Sequence, residues 1–213
     1  MGHSFLRRLR DDMIVNSGSR HGLDIGRAST INAAKMATKL GVSNHLRAIY
    51  THCNYINLIK DLPRCAAITQ KIEPSIVVID IGSNDLANIK TRDHIKMLQL
   101  ATQVTDFAAS IPAKVVIIHA ILPRTARITP STETFQDNVD LYNNFLKNIC
   151  ETSDNLIYDK LRGFRNIWID NVEYPLKVSD WSTDGIHCNS QSMKKYKARV
   201  RQAILRQVGR VSL

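Results

Sequence analysis

The chain of 213 residues carries 29 lysines and arginines against 19 aspartates and glutamates, which gives a net charge of +10, and 44% of its residues are hydrophobic. This length and composition exclude a disordered chain and are typical of one globular domain. The longest apolar runs, SIVVIDI and KVVIIHAIL, are far shorter than the roughly 20 residues of a membrane-spanning helix, and no signal-peptide pattern opens the chain. We therefore expect a cytoplasmic protein whose four cysteines are free thiols, since none forms a CxxC pair.

Short apolar runs alternate with stretches of helical period along the chain. The pattern predicts strands at 46–52, 75–81, 114–122 and 155–159, and helices at 55–71, 91–109, 133–150 and about 190–208. Pro63 should interrupt the first helix, and residues 160–188 should be mostly loop. This order predicts a single α/β domain over 1–213, built as a three-layer α/β/α sandwich with a parallel sheet.

The spacing of apolar side chains predicts which face of each central helix packs on the sheet. In the 91–109 helix the apolar face is predicted to contain Ile95, Leu98, Thr102 and Phe107. In the 133–150 helix it is predicted to contain Phe135, Val139, Tyr142, Phe145, Leu146 and Ile149.

Polar segments lie at the points where sites usually form in such sheets, the carboxyl ends of the strands. GSNDL follows strand 75–81, and the side-chain amide of Asn84 can donate to developing negative charge, although the same residue types also form ordinary turns. TDGIHCN precedes the last helix. There Asp184 can orient His187, or it can simply cap a helical turn.

Three ordered blocks, GHS at 2–4, GSND at 82–85 and DGIHCN at 184–189, resemble the SGNH (GDSL-type) hydrolase family. The resemblance spans nearly the whole chain and extends to esterase-like domains of animal retroelement-encoded proteins. The GxSxG motif of the other large α/β esterase class is absent. The resemblance implies a flavodoxin-like SGNH hydrolase fold and a serine esterase that cleaves small acyl or acetyl esters through an acyl-enzyme.

The resemblance also implies a role for individual residues. Ser4 would be the nucleophile, His187 the general base and Asp184 the residue that orients the imidazole. The backbone N–H of Ser4 and the side chain of Asn84 would stabilise the oxyanion. Neither a metal ion nor an organic cofactor is implied.

The sequence departs from the family pattern in three places. His3 stands where the family usually has aspartate. The second block, at 51–56 (THCNYI), lacks the glycine that supplies a third oxyanion donor. Asn54 is the best replacement, because asparagine readily adopts left-handed backbone angles, and Cys53 is the runner-up. Only Met1 precedes the first block, so we expect the sheet to lack its first strand.

Further residues can contribute to substrate or partner binding. Arg124 can meet an acidic substrate group and Trp181 can line an acyl pocket; the alternatives are surface solubility and a cover for the core edge. The last helix carries Lys194, Lys197 and Arg201 on one face, which can bind nucleic acid or anionic lipid or can be a solvated face. A catalytically impaired binding module of this kind is the alternative to the esterase.

Overall fold

The computed structural model describes residues 58–124, 132–161, 167–169, 172–174 and 181–211. Three strands, β1 (Ile76–Ile79), β2 (Val115–His119) and β3 (Leu156–Asp159), form a parallel sheet in the order β1-β2-β3. Every residue of β2 is buried, as expected for a strand with helices on both faces of its sheet. The predicted strand at 46–52 and the expectation of a missing first strand concern residues outside this description.

Within the described residues, five α-helices accompany these strands. They are α1 (Ala66–Ile72), α2 (Ser83–Ala87), α3 (His94–Ser110), α4 (Thr132–Glu151) and α5 (Ser190–Val211). The chain before α1 forms a 3₁₀ helix, Ile59–Cys65, which contains Pro63 and confirms the predicted interruption.

Side-chain caps fix where two of the long helices begin. The carboxylate of Asp93 accepts a hydrogen bond from the backbone N–H of Lys96 at 2.9 Å, at the start of α3. In the same way Asn189 Oδ1 accepts from the backbone N–H of Ser192 at 2.8 Å, at the start of α5. The second cap sets the point at which the chain leaves the DGIHCN block.

The sheet lies between two layers of helices. Val77 and Ile79 of β1 pack in the core shared with α3 and α4. Ile76 and Val78 point to the opposite face and pack in the core shared with α5. This alternation follows from the two-residue period of a strand, and it confirms the predicted α/β/α sandwich.

The predicted face of α3 was wrong except for Phe107, which packs against the core. Ile95 and Leu98 are 72% and 44% exposed. The buried face of α3 consists of Met97, Leu100, Ala101, Val104, Thr105 and Ala108. The prediction weighted bulky side chains, whereas the packed face includes small alanines that allow the helix axis to come close to its neighbours. The predicted face of α4 is confirmed: Phe135, Val139, Tyr142 and Leu146 are buried, and Phe145 and Ile149 pack beside them.

Three elements of the structure were not predicted. The GSND turn continues into the short helix α2, and the predicted loop 160–188 contains an antiparallel pair, β4 (Ile167–Ile169) and β5 (Val172–Tyr174). Strands of three residues are too short to show a period. Within the described part of the chain, no helix has the length and hydropathy needed to cross a membrane. The cytoplasmic location stays a prediction.

Candidate active site

The first part of the site follows β1, where the chain turns sharply into α2. Gly82 adopts φ +117°, a backbone angle that requires glycine, and a Cβ atom at this position would also lie only 3.0 Å from Tyr142 Oη. The turn places Asn84 in the first turn of α2, at the carboxyl end of the sheet. Asn84 therefore occupies the kind of position that the sequence predicted for an oxyanion donor.

Asp85 ties α2 to the start of the 3₁₀ helix. Its two carboxylate oxygens accept from the backbone N–H of Ile59 at 3.2 and 3.1 Å. Burial raises the pKa of Asp85 to about 6, against the opposing effect of this hydrogen bond. The contact fixes α2 relative to the segment that follows the predicted second block.

The second part of the site is the loop before α5, in which Asp184 accepts four hydrogen bonds from described residues of the same loop. Its Oδ1 accepts from Ser182 Oγ at 2.6 Å and from the backbone N–H groups of Ile186 and His187, both at 2.9 Å. Its Oδ2 lies 2.7 Å from His187 Nδ1. Partial burial opposes ionisation, but these hydrogen bonds together hold the pKa of Asp184 well below its usual range.

The hydrogen bond to Asp184 determines which nitrogen of neutral His187 carries hydrogen. An ionised carboxylate only accepts hydrogen bonds, so Nδ1 is the donor toward Asp184 and Nε2 is the basic nitrogen of the neutral ring. The His187 side chain is 15% exposed, and the Asp184 side chain is 38% exposed. The pair therefore has the chemistry of a general base held in one tautomer at the edge of the protein surface.

The loop is closed on itself and anchored in the core. The backbone N–H of Ser182 donates to the carbonyl of His187 at 2.7 Å, and Trp181 forms a β-bridge with Cys188. The side chains of Trp181 and Cys188 are buried in the core on the α5 face. These contacts hold together the two ends of the loop that carries the Asp184–His187 pair.

Arg124 connects the end of β2 with the end of β1. Its Nη2 donates to Asn84 Oδ1 at 3.0 Å, and the residue is only 6% exposed. Burial lowers the pKa of Arg124 to about 10, while the negative charge of Asp184 acts in the opposite direction. Arg124 thus lies within electrostatic range of both parts of the site.

The structure brings the predicted site residues together in two pairs, Asp184 with His187 and Arg124 with Asn84. The second pairing was not predicted, although both residues follow neighbouring strands, whose carboxyl ends meet at one edge. Ser4 and Asn54 lie outside the described residues, and their roles stay predictions. The same holds for substrate contacts of Arg124 and Trp181.

A polar cluster on the α5 face of the sheet, here named the Asp80 cluster, consists of the buried residues Asp80, His119 and Tyr196 and the partly buried Asp159. Tyr196 Oη donates a hydrogen bond to Asp80 Oδ2 and lies 3.5 Å from His119 Nδ1. His119 Nε2 is 3.6 Å from Asp159 Oδ2. Burial raises the pKa of Asp80 to about 6 and lowers the pKa of His119 to about 3, so this imidazole is neutral at physiological pH.

Comparison with known sequences identifies the family. Residues 5–199 match the model of the GDSL-like lipase/acylhydrolase family. The chain belongs to this family. The protein is therefore a serine ester hydrolase, with acyl-ester hydrolysis as its general reaction, and the resemblance of its sequence to GDSL-type hydrolases is confirmed. No curated protein has a sequence that matches the chain significantly.

Solved structures of GDSL-type and related esterases have the same fold. A mutant acetyl esterase with an acetate ion is 17% identical, and the alignment covers 86% of this chain and 91% of that chain with a TM-score of 0.54. A putative acylhydrolase from Bacteroides fragilis is 18% identical over 85% of this chain and 83% of that chain, with a TM-score of 0.54. A carbohydrate esterase of family 3 from Talaromyces cellulolyticus is 18% identical over 84% and 87%, with a TM-score of 0.53.

Proposed function

We propose that this GDSL-family protein hydrolyses small acyl esters, acetyl esters among them, through a Ser4–His187–Asp184 triad. The observation that carries the proposal is the 2.7 Å contact between His187 Nδ1 and Asp184 Oδ2. It leaves Nε2 as the basic nitrogen, which is the tautomer that a general base for serine needs. Family membership supports the reaction class, and the structural likeness to an acetyl esterase supports the small acyl group.

The proposed reaction begins when Ser4 Oγ attacks the ester carbonyl carbon and His187 Nε2 takes the hydroxyl proton. The resulting oxyanion receives hydrogen bonds from the Asn84 side chain and from the backbone N–H groups of Ser4 and Asn54. His187 then gives its proton to the departing alcohol as the carbon–oxygen bond breaks, which leaves the acyl group on Ser4.

Hydrolysis of the acyl-enzyme repeats these steps with water. His187 takes a proton from a water molecule as the water oxygen attacks the acyl carbon, and it returns the proton to Ser4 Oγ as the acid leaves. Asp184 stays ionised throughout and stabilises the imidazolium that forms in each half-reaction. The hydrogen bonds to Asp184 favour that ionised state.

The experiment is a turnover and labelling assay with p-nitrophenyl acetate and a fluorophosphonate probe. Wild type should release p-nitrophenol and take up one probe, and Ser4→Ala should lose both. Ser110→Ala is the matched control, because Ser110 is an exposed serine at the end of α3 whose hydroxyl donates to the backbone carbonyl of Phe107. Turnover that is equal in wild type and Ser4→Ala would overturn the triad. Complete inactivity of the wild type would favour the impaired binding module.

A second candidate function concerns the exposed face of α5. This helix contains no aspartate or glutamate, and its exposed side chains include Lys194 and Lys195, while Tyr196 and Val200 pack on the sheet. We propose that this face binds single-stranded nucleic acid through its phosphates.

The test for this binding is the fluorescence anisotropy of a labelled oligonucleotide across a salt series. Affinity should fall steeply as salt rises, and Lys194→Glu combined with Lys195→Glu should weaken binding at every salt concentration. A flat salt response would exclude nucleic acid. Binding to anionic vesicles with no binding to the oligonucleotide would assign the face to lipid.

A further inference from the structure

Arg124 is held in place by α4 and does not extend into solvent. Its guanidinium carbon lies 5.1 Å from the centroid of the Phe135 ring. Just upstream, Asn143 accepts from the backbone N–H of Ile121 at 2.8 Å and donates to the Ile121 carbonyl at 3.0 Å. The backbone before Arg124 and the face of its guanidinium are therefore both fixed by side chains of α4.

This fixed guanidinium determines the orientation of the Asn84 amide. A guanidinium only donates hydrogen bonds, so its partner at 3.0 Å is the amide oxygen Oδ1 and not the amide nitrogen. The two ends of an asparagine amide are nearly equal in size and exchange by rotation about χ2. Contact with Arg124 selects the orientation in which the Nδ2 hydrogens point away from the guanidinium.

The orientation matters because an oxyanion is stabilised only by donors. If the Asn84 amide rotated by half a turn, it would present the lone pairs of Oδ1 to the oxyanion in place of its N–H groups. The positive charge of Arg124 also polarises the amide and strengthens its N–H groups as donors.

We propose that Arg124 is a positioning residue of the hydrolase, which acts through Asn84 by holding its amide with Nδ2 toward the oxyanion. The inference rests on the proposed function, since the amide orientation affects catalysis only if Asn84 is an oxyanion donor. It also gives Arg124 a role that does not require contact with the substrate.

The kinetic test is a double-mutant cycle between Arg124→Met and Asn84→Ala, with p-nitrophenyl acetate as the substrate. Methionine retains an unbranched apolar chain against Phe135 but cannot donate. Arg124→Met should lower kcat about 10- to 100-fold and leave KM nearly unchanged. This is a smaller loss than the roughly 10²- to 10³-fold decrease in kcat that is typical when an oxyanion donor is removed. In the Asn84→Ala background the same substitution should change kcat less than about threefold, because the amide that Arg124 orients is then absent.

Arg124→Lys keeps the charge and one donor, and it should recover part of the lost kcat. Equal effects of Arg124→Met in both backgrounds would overturn the inference. A rise in KM confined to anionic esters would also overturn it, because direct substrate contact would then explain the effect. Each rate is divided by the folded fraction of that variant, which is measured by circular dichroism.

An NMR measurement tests the orientation without relying on activity. The side-chain NH₂ signals of Asn84 are assigned by their loss in Asn84→Ala. In Arg124→Met they should shift and broaden, because the amide is no longer held in one orientation. Unchanged signals would refute the inference even in an active enzyme. Inactive wild type with the expected signal change would instead refute the proposed catalytic function and leave the orienting contact established.

Discussion

Replacing Asp80 with asparagine should stabilise the protein at neutral pH, by an amount that grows as the pH rises. Asp80 is buried at the carboxyl end of β1, and Tyr196 Oη donates a hydrogen bond to its Oδ2. An asparagine side chain is nearly the same size, and its oxygen can still accept from Tyr196. The substitution therefore removes the buried charge and keeps the hydrogen bond.

The magnitude follows from the pKa of Asp80, which burial raises from 3.8 to about 6. This difference corresponds to about 3 kcal/mol, since one pKa unit is worth about 1.4 kcal/mol. A carboxyl group whose pKa is raised by folding favours the folded state while it is protonated. That contribution is complete below pH 3.8 and is lost as the pH rises through about 6. About 2 kcal/mol of the change falls between pH 4.5 and 8.

The assay is urea unfolding of wild type and Asp80→Asn at a series of pH values from 4.5 to 8. The free energy of unfolding of the variant minus that of wild type should increase by about 2 kcal/mol from pH 4.5 to pH 8. Asp137→Asn, on the exposed side of α4, controls for the change in net charge. Tyr196→Phe should raise the pKa of Asp80, because it removes a hydrogen bond that favours the ionised carboxylate. The loss of stability with rising pH should then occur at higher pH than in wild type. A difference between wild type and Asp80→Asn that is constant to within about 0.5 kcal/mol would refute the reasoning.

Three further substitutions test other contacts. Asp184→Asn keeps an oxygen for the backbone donors but places an NH₂ group opposite His187 Nδ1, which forces the other tautomer; kcat should fall about 10³- to 10⁴-fold in protein that is still folded by circular dichroism, and an active variant would contradict the assigned base. Gly82→Ala should lower the free energy of unfolding, measured with urea, by about 1–3 kcal/mol, because φ is +117° and Tyr142 crowds the added methyl group. A neutral effect would contradict that geometry. Asn143→Leu should cost about 2–5 kcal/mol in the same assay, because it leaves a buried N–H and a carbonyl after β2 without their partner; a loss below about 1 kcal/mol would mean that both groups find other partners.

The sequence predicted the three described strands of the parallel sheet because they lie in short, continuous apolar runs. SIVVIDI and KVVIIHAIL contain β1 and β2, and their β-branched composition and length leave few alternatives. The same reasoning gave the wrong face for α3, where Ile95 is exposed and small residues such as Ala101 are buried. Hydrophobic size alone does not determine a packed face when close approach of two elements requires alanine.

The Asp184–His187 pair was predictable because its residues are three apart in one loop. The contact between Arg124 and Asn84 joins residues 40 positions apart, and the contact between Tyr196 and Asp80 joins residues 116 apart. Each depends on which strands are neighbours and which face a helix covers. Asp80 itself lies in an apolar run, where a single carboxylate gives no sign of the tyrosine that reaches it.

The hydrogen bonds that orient Asp184 have a consequence for how the enzyme can lose activity. The four described donors all lie between Ser182 and His187, so the described contacts that orient Asp184 come from six consecutive residues. A substitution at the nucleophile or in the oxyanion hole would leave these local contacts in place. An inactive descendant of the enzyme would therefore keep the Asp184–His187 contact after its catalysis was gone, and this contact alone would not distinguish an active member of the family from an inactive one.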